Sequence, residues 1–480
     1  MEENHREFYS FNNNNNESIN NKLQKQKNTT SSLINKLIPS SNIIGNGRAF
    51  SSPFGERHIL YADYVASGKA LHSIENYIAD NVLPLYANTH TTASITGIQS
   101  SAFRNEARQI IGQSLNVNVK EDVVLFVGSG STAAINRVIG ILGLKNNINN
   151  IDDAKKCVIF VGPHEHHSNL LPWRETGSTI VEIKETKEGL FDLNDLKEQL
   201  HNYKDYPFKI GTFSLASNLT GIKAPEHDIC ELMHRNGGLV FFDCATAGPY
   251  MDINMNPVII GEKRPYVYKD GVFLSPHKMI GGPNTPGILV IKKKLLSNKV
   301  PTNPGGGTVF FVTSKDHRYL SNRIEREEGG TPDIIGSIRA GLCFHLKHTI
   351  GTDTIHRLEQ KNWDIVYNKL KTIPNIHILG GGLDNHERLP VLSFLIEVYE
   401  NKKKHFLHYN FVCSLLNDLY GIQSRGGCQC AGPYAQRLLS LTYNNAQKYE
   451  NELIDKKEYL RPGFSRLSFP YFMETMQVEY

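Results

Sequence analysis

Short unbroken apolar runs recur along the first two thirds of the chain. Val123-Val-Leu-Phe-Val, Cys157-Val-Ile-Phe-Val and similar stretches near 179, 209, 239, 271 and 287 are too short for helices and rich in branched and aromatic residues. That is the composition of strands buried on both faces. Between them lie segments of helical spacing such as Gln99 to Leu115 and Pro225 to Arg235. The alternation predicts an α/β fold, a mostly parallel sheet with helices on both faces and ligand groups gathered at strand ends. From about Gly329 the pattern changes to helices around Ile334 to Leu346 and Asp353 to Leu370, then strands near Val391 and Arg466. The expected organisation is a large domain with its N-terminal arm over 51–328 and a smaller C-terminal α+β domain over 329–480. Residues 1–50, with the run Asn12 to Asn16 and flanking Ser, Lys and Gln, lack the apolar residues for a core and are expected to be disordered. No internal repeat is visible.

The strand ends carry the chemistry. Gly271-Val-Phe-Leu breaks into Ser275-Pro-His-Lys278. An amine at the rim of an apolar strand is poorly solvated, which favours its free form and its attack on a carbonyl to give a Schiff base. This points to pyridoxal phosphate, although a single His-Lys pair on its own reads first as surface. Gly238-Leu-Val-Phe-Phe ends in Asp243, a carboxylate that needs a cationic or hydrogen-bonding partner there. A protonated pyridine nitrogen is one such partner and would keep the ring an electron sink; the start of a following helix is another. Val123 to Val127 runs into Gly128-Ser-Gly-Ser131-Thr132, whose amides and hydroxyls at a helix start suit a phosphate. The Gly-Lys-Ser/Thr ending of a nucleotide P-loop is missing. Cys157 to Val161 leads to Pro163-His-Glu-His166-His167-Ser-Asn, where an imidazole would stack on a flat cofactor or serve only structure. No Cys or carboxylate set stands at ligand spacing beside it, so no metal is expected.

Taken in order, Glu165-His-His-Ser-Asn-Leu-Leu-Pro-Trp173, Ser217-Asn-Leu-Thr-Gly221, Asp243-Cys-Ala-Thr246, Ser275-Pro-His-Lys278 and Gly330-Thr-Pro-Asp333 resemble the class V aminotransferases. Within that family the chain is most similar to cysteine desulfurases and selenocysteine lyases, from about Tyr61 to Phe472. The resemblance implies the fold-type I architecture of pyridoxal-phosphate enzymes and assigns roles by position. Lys278 matches the Schiff-base lysine, Asp243 the pyridinium partner and His166 the stacking imidazole active in proton transfer. Ser131, Thr132, Ser275 and His277 fall where the phosphate is bound, and Thr331 where a residue reaches the phosphate of a neighbouring subunit. Asn218 falls where an amide helps to hold the substrate carboxylate.

Arg425-Gly-Gly-Cys-Gln-Cys430-Ala resembles the cysteine loop of desulfurases and puts Cys430 at the nucleophile, with Arg425 and the glycine-rich backbone favouring a thiolate. Cys428 does not match that position and is read as loop lining. In Phe464-Ser-Arg466-Leu-Ser-Phe, a strand-like alternation, Arg466 matches the residue that clamps the substrate carboxylate through a two-bond fork. Departures are Thr246, where desulfurases usually have a glutamine at the ring hydroxyl, Pro276 in place of a glycine, and Cys428 in place of a histidine. Little sequence follows Arg466 for the closing helix of relatives, which reads as a truncated reading frame or a loosely held C-terminus.

Charge changes little in this picture. With 52 basic against 48 acidic side chains there is no field that indicates nucleic acid, and no apolar stretch has the roughly 20 residues of a membrane span. The runs Lys292 to Lys294 and Lys402 to Lys404 read as solvated. Seven scattered cysteines without a secretory signal argue for a reducing compartment, with the cytosol expected ahead of the mitochondrion. The resemblance implies a homodimer. The first functional reading is removal of sulfur from L-cysteine, giving alanine and a persulfide on Cys430 for a sulfur-acceptor protein. The second is another reaction on the scaffold, such as amino transfer, epimerisation or selenocysteine cleavage, that dispenses with Cys430. The third is a non-catalytic binding protein.

Overall fold

The structure is a computed structural model that describes residues 30–480, apart from 90, 92, 145–155, 263–264 and 381–387. Its centre is a seven-stranded sheet of β1 (Asp122–Val127), β2 (Cys157–Val161), β3 (Thr179–Glu182), β4 (Phe208–Ser214), β5 (Leu239–Asp243), β6 (Gly271–Leu274) and β7 (Gly287–Lys292) in the order β1-β7-β6-β5-β4-β2-β3. Five strands run parallel from β3 to β6, and β7 is antiparallel to both of its neighbours. The strands were expected to be apolar throughout because each face meets its own core. Val123, Leu125 and Val127 pack with Ile135, Val138 and Trp173 on one side. Val124 and Phe126 join Phe103, Phe160 and Phe344 on the other. Period-two alternation thus sorts one strand between two clusters.

Helix α1 (Ile95–Ser114) covers the second face together with α3 (Ile334–Ile350), while α2 (Gly130–Ile141) follows β1 over the first. A second sheet lies downstream, with β8 (Ile376–Ile378), β9 (Val391–Glu400), β10 (Arg425–Gly427) and β11 (Phe464–Ser468) ordered β8-β9-β11-β10, all antiparallel. Helix α4 (Thr352–Leu370) packs on it through Trp363 and Val366. The N-terminal arm reaches the same region through a separate two-stranded sheet, in which Leu60 and Tyr61 pair in parallel with Ile422 and Gln423 just before β10.

Three expectations need correction. The disorder assigned to 1–50 lies outside the described residues as far as 29, but Thr30–Leu37 is helical and Ile34, Ile38 and Ile43 are buried in the main core; three isoleucines outweigh a polar average. Lys292, expected in solvent, is buried against Asp122 at 2.8 Å. The C-terminus is held by a short helix, Thr475–Glu479, with a capping box at Glu474 and Val478 buried.

Candidate active site

Strand ends and the two sheets meet at a cleft of about 400 Å³. On its floor the chain leaves β1 at Val127 and enters α2 at Gly130, whose φ of +55° suits glycine. A Cβ there would lie 2.9 Å from Ser275 Oγ and 3.2 Å from His277 Cε1, so the turn and the segment after β6 touch directly. The Ser131 amide donates to Ser275 Oγ at 2.9 Å, and the Thr132 and Ser168 hydroxyls lie 2.7 Å apart. Hydroxyls and amides at the start of a 12-residue helix form a ready anion cradle.

Because β5 and β6 are parallel neighbours, Asp243 and the turn Pro276–Lys278 emerge on the same rim. Asp243 is buried, and one oxygen accepts from the Ala245 amide at 2.9 Å. Burial raises its pKa, against the pull of the Ala245 amide and of Lys278. Lys278 shows the cleft part of its surface and is otherwise enclosed; burial lowers its pKa to about 8, with Asp243 opposing. An amine so depressed holds an appreciable free fraction at neutral pH. His166 follows β2, and its Nδ1 accepts from the Ser168 amide at 3.1 Å. Burial, then Lys278, push its pKa to about 3, which keeps the ring neutral. The same two causes in the same order bring His277 to about 4. Thr246 and Ser275 complete this wall.

The opposite wall comes from the second sheet. Arg466 on β11 is 2% exposed; its Nη1 donates to Asn218 O at 2.8 Å and its Nη2 meets Asp63 Oδ1 at 2.6 Å. Arg425 on β10 places Nε 2.9 Å from Asp63 Oδ2. One carboxylate therefore bridges both arginines. It does so because Leu60 and Tyr61 run beside Ile422 and Gln423, bringing position 63 alongside position 425. Asn218 is less free than expected, since its Nδ2 donates to Gln429 O at 2.9 Å.

Cys430 is exposed at the mouth of the cleft, in left-handed backbone with φ +59°, preceded by Gln429 at +50°. Cys428 points away, its thiol donating to Pro462 O at 3.1 Å. Thr331 is exposed and lies outside the cleft, accepting from Asn88 at 3.3 Å.

Twelve of the thirteen site residues named from sequence thus line one cavity: Ser131, Thr132, His166, Asn218, Asp243, Thr246, Ser275, His277, Lys278, Arg425, Cys430 and Arg466. Two residues were missed. Asp63 sits in Tyr-Ala-Asp-Tyr, where nothing local marks it. Glu165, quoted only as part of a motif, is buried and accepts from the Gly162 and Ser214 amides, the Ser214 hydroxyl and Asn169, which ties β2 to β4 beneath the cleft. Burial raises its pKa to about 7. Among the described residues no group of three or more His, Cys, Asp or Glu is arranged to hold a metal, and no helix is long and apolar enough to cross a membrane.

The cavity also fits a flat, phosphorylated pyridine. It presents an anion cradle, an enclosed amine and a buried acid, and buried polar atoms on its far side have no partner: Arg466 Nε, Asn218 Oδ1 and Gln429 Oε1. Unpaired buried groups are costly unless a ligand completes them.

The chain resembles known proteins over most of its length. The chain is similar to probable cysteine desulfurases of Halalkalibacterium halodurans, 26% identical over 379 residues with 78% of this chain and 84% of that protein covered, and of Staphylococcus epidermidis, 26% identical over 381 residues with the same coverage. Among solved structures it is similar in fold to a cysteine desulfurase from Thermococcus onnurineus, with TM-score 0.70, 23% identity and 88% and 92% of the two chains covered. Another likeness is to a cysteine desulfurase from Escherichia coli, with TM-score 0.69, 19% identity and 94% and 96% covered. The model of the family described as aminotransferase class V matches residues 60–480, nearly the whole described chain, and the protein belongs to that family of pyridoxal-phosphate-dependent enzymes.

Proposed function

We propose that this enzyme is a cysteine desulfurase that takes sulfur from L-cysteine, forming alanine and a persulfide on Cys430. The observation that supports this most is that Lys278, Asp243, His166, Arg466 and an exposed Cys430 line a single cleft.

Pyridoxal phosphate, when bound, supplies an electron sink for the amino acid's Cα. In this reading Ser131, Thr132, Ser275 and His277 hold its phosphate. Asp243, charged, would favour a proton on the pyridine nitrogen, and Lys278 would supply the amine that anchors the aldehyde. Thr246, shorter than the glutamine of typical desulfurases, lines the same wall and would offer the ring a hydroxyl in place of an amide. His166 covers the ring, and being neutral it is able to accept a proton as well as pass one on. Arg466, with Arg425 at the rim, receives the substrate carboxylate; Asp63 cancels one of their two charges and so suits the site to a single carboxylate. Asn218, bonded to Gln429 O, acts on the substrate indirectly, through the loop it supports. The Cys430 thiolate bonds to the substrate sulfur as the Cβ–S bond breaks. The electron pair stays with carbon, which takes a proton to become the methyl group of alanine.

The second sheet, with α4 packed on it, closes the cleft as a smaller domain, while α3 belongs with the central sheet. The hairpin Val309–Val312 and His317–Tyr319 exposes Phe310, Phe311 and Val312, and this apolar surface supports a homodimer in which Thr331 reaches the other subunit's phosphate site. The persulfide passes to a sulfur-acceptor protein, and the cytosol is the proposed compartment.

The test uses protein loaded with pyridoxal phosphate. Lys278→Ala is expected to lose the visible absorption band and all turnover. Cys430→Ser is expected to keep the band and lose sulfide release from L-cysteine. Unchanged sulfide release in Cys430→Ser would point to another reaction on the same scaffold.

A further inference from the structure

We infer that His167 is a positioning residue that clamps the backbone just after Cys430, on either side of Ala431. The inference rests on the reading that Cys430 accepts the sulfur. His167 was quoted only as the second histidine of a motif, and no role in the cofactor site falls to it.

The geometry is specific. The His167 backbone N–H donates to Cys430 O at 2.7 Å, and its ring Nε2 accepts from the Gly432 N–H at 2.8 Å. One residue therefore grips the chain on both sides of Ala431, at the Cys430 carbonyl and at the Gly432 amide. A Cβ on Gly432 would lie 3.0 Å from that Nε2, so a side chain there would push the two apart. The loop needs such support. Gln429 and Cys430 are consecutive non-glycine residues in the left-handed region, at φ +50° and +59°, a conformation that L side chains adopt only under outside constraint. Other ties nearby are Asn218 Nδ2 to Gln429 O at 2.9 Å, Gln429 Nε2 to Phe464 O at 3.4 Å and the Ala431 N–H to Cys428 O at 3.1 Å. The first two hold the residue before the thiol, the third closes the turn around it, and His167 holds the thiol-bearing residue itself.

Position in the fold gives the clamp its consequence. His167 follows His166 in the turn after β2, so one rigid turn carries both the imidazole over the candidate ring site and the grip on the nucleophile. The distance from the thiol to the substrate sulfur is then set by the same element that orients the ring. To accept from Gly432, Nε2 must be unprotonated, and burial followed by Arg174 holds the pKa of His167 below its ordinary value.

His167→Ala and His167→Gln separate positioning from folding, because the glutamine amide oxygen reaches about where Nε2 stands. In the holoenzyme His167→Ala is expected to keep the cofactor absorption band, to form the Cys430 persulfide about tenfold more slowly in a single turnover, as for loss of one aligning hydrogen bond, and to exchange the Gly432 amide hydrogen faster. His167→Gln is expected to recover most of both effects. Wild-type persulfide formation in His167→Ala, or a Gln variant as impaired as the Ala variant, would overturn the clamp. Hydrogen exchange and the alkylation rate of Cys430 by iodoacetamide report the loop without turnover. Should Cys430→Ser remain active, the sulfur-acceptor reading fails; unchanged exchange and alkylation in His167→Ala defeat the clamp itself.

Discussion

At the scale of single residues the unexpected member of the site is Asp63. It binds Arg466, which the family resemblance assigns to the substrate carboxylate, and Arg425 at the start of the cysteine loop, and Arg466 is 2% exposed, so its charge has few other partners. Asp63→Asn leaves that guanidinium short of a counter-charge and free to turn. It is expected to raise KM for the amino acid about tenfold, as for one lost charge-assisted hydrogen bond, while the cofactor band stays. A fall in KM would mean instead that Asp63 competes with the substrate. Why Asp63 escaped a sequence reading while Lys278 did not is a matter of locality. Lys278, Asp243 and Ser131 each stand where an apolar strand breaks into polar residues, a signal contained within ten positions. Asp63 meets Arg425 and Arg466 across more than 360 positions, and Glu165 meets Ser214 across 49. Such partners are set by sheet order, which no local pattern carries.

At the scale of elements the strand pattern was read well because both faces of the central sheet are covered, which makes each strand apolar along its length. The antiparallel course of β7 was not legible, since a buried strand reads the same in either direction. That course matters to the site. Gly287 opens β7 opposite the turn before α2, and a Cβ there would lie 2.1 Å from Gly130 O. Gly287→Ala must displace the Ser131–Thr132 cradle or the strand, at about 1–3 kcal/mol for overpacking. It is expected to weaken cofactor binding about tenfold for each 1.4 kcal/mol that falls on the cradle, read by titrating the apoprotein with pyridoxal phosphate. Wild-type affinity would show that the turn yields without consequence. Helix Thr30–Leu37 was missed for a simpler reason: asparagine-rich surroundings hid the isoleucines that anchor it and the segment after it.

At the scale of the whole molecule, Glu328 ties distant parts together. It pairs with Arg104 at 2.8 Å and Arg108 at 2.9 Å on α1, and accepts from the Phe126 amide of β1 at 2.7 Å, closing the outer edge of the central sheet. Burial alone would raise its pKa, but Arg108 and Arg104 outweigh burial and hold the carboxyl below its ordinary value of 4.5. A depressed carboxyl contributes stability that is complete above pH 4.5 and is lost as pH falls through the lower folded value. Glu328→Gln is expected to cost about 3–5 kcal/mol, because the buried Arg104 and the half-buried Arg108 lose their counter-charge, and to flatten the acid limb of the stability profile in denaturant unfolding. An unchanged acid limb would place the acid sensitivity elsewhere.

The sulfur-transfer account as a whole is tested most directly by intact-protein and peptide mass spectrometry of the holoenzyme after a single turnover of L-cysteine. The account predicts one added sulfur atom on the peptide carrying Cys430, in step with one equivalent of alanine, and none on the Cys428 thiol. Alanine without added sulfur on Cys430, or a keto acid in its place, would contradict it.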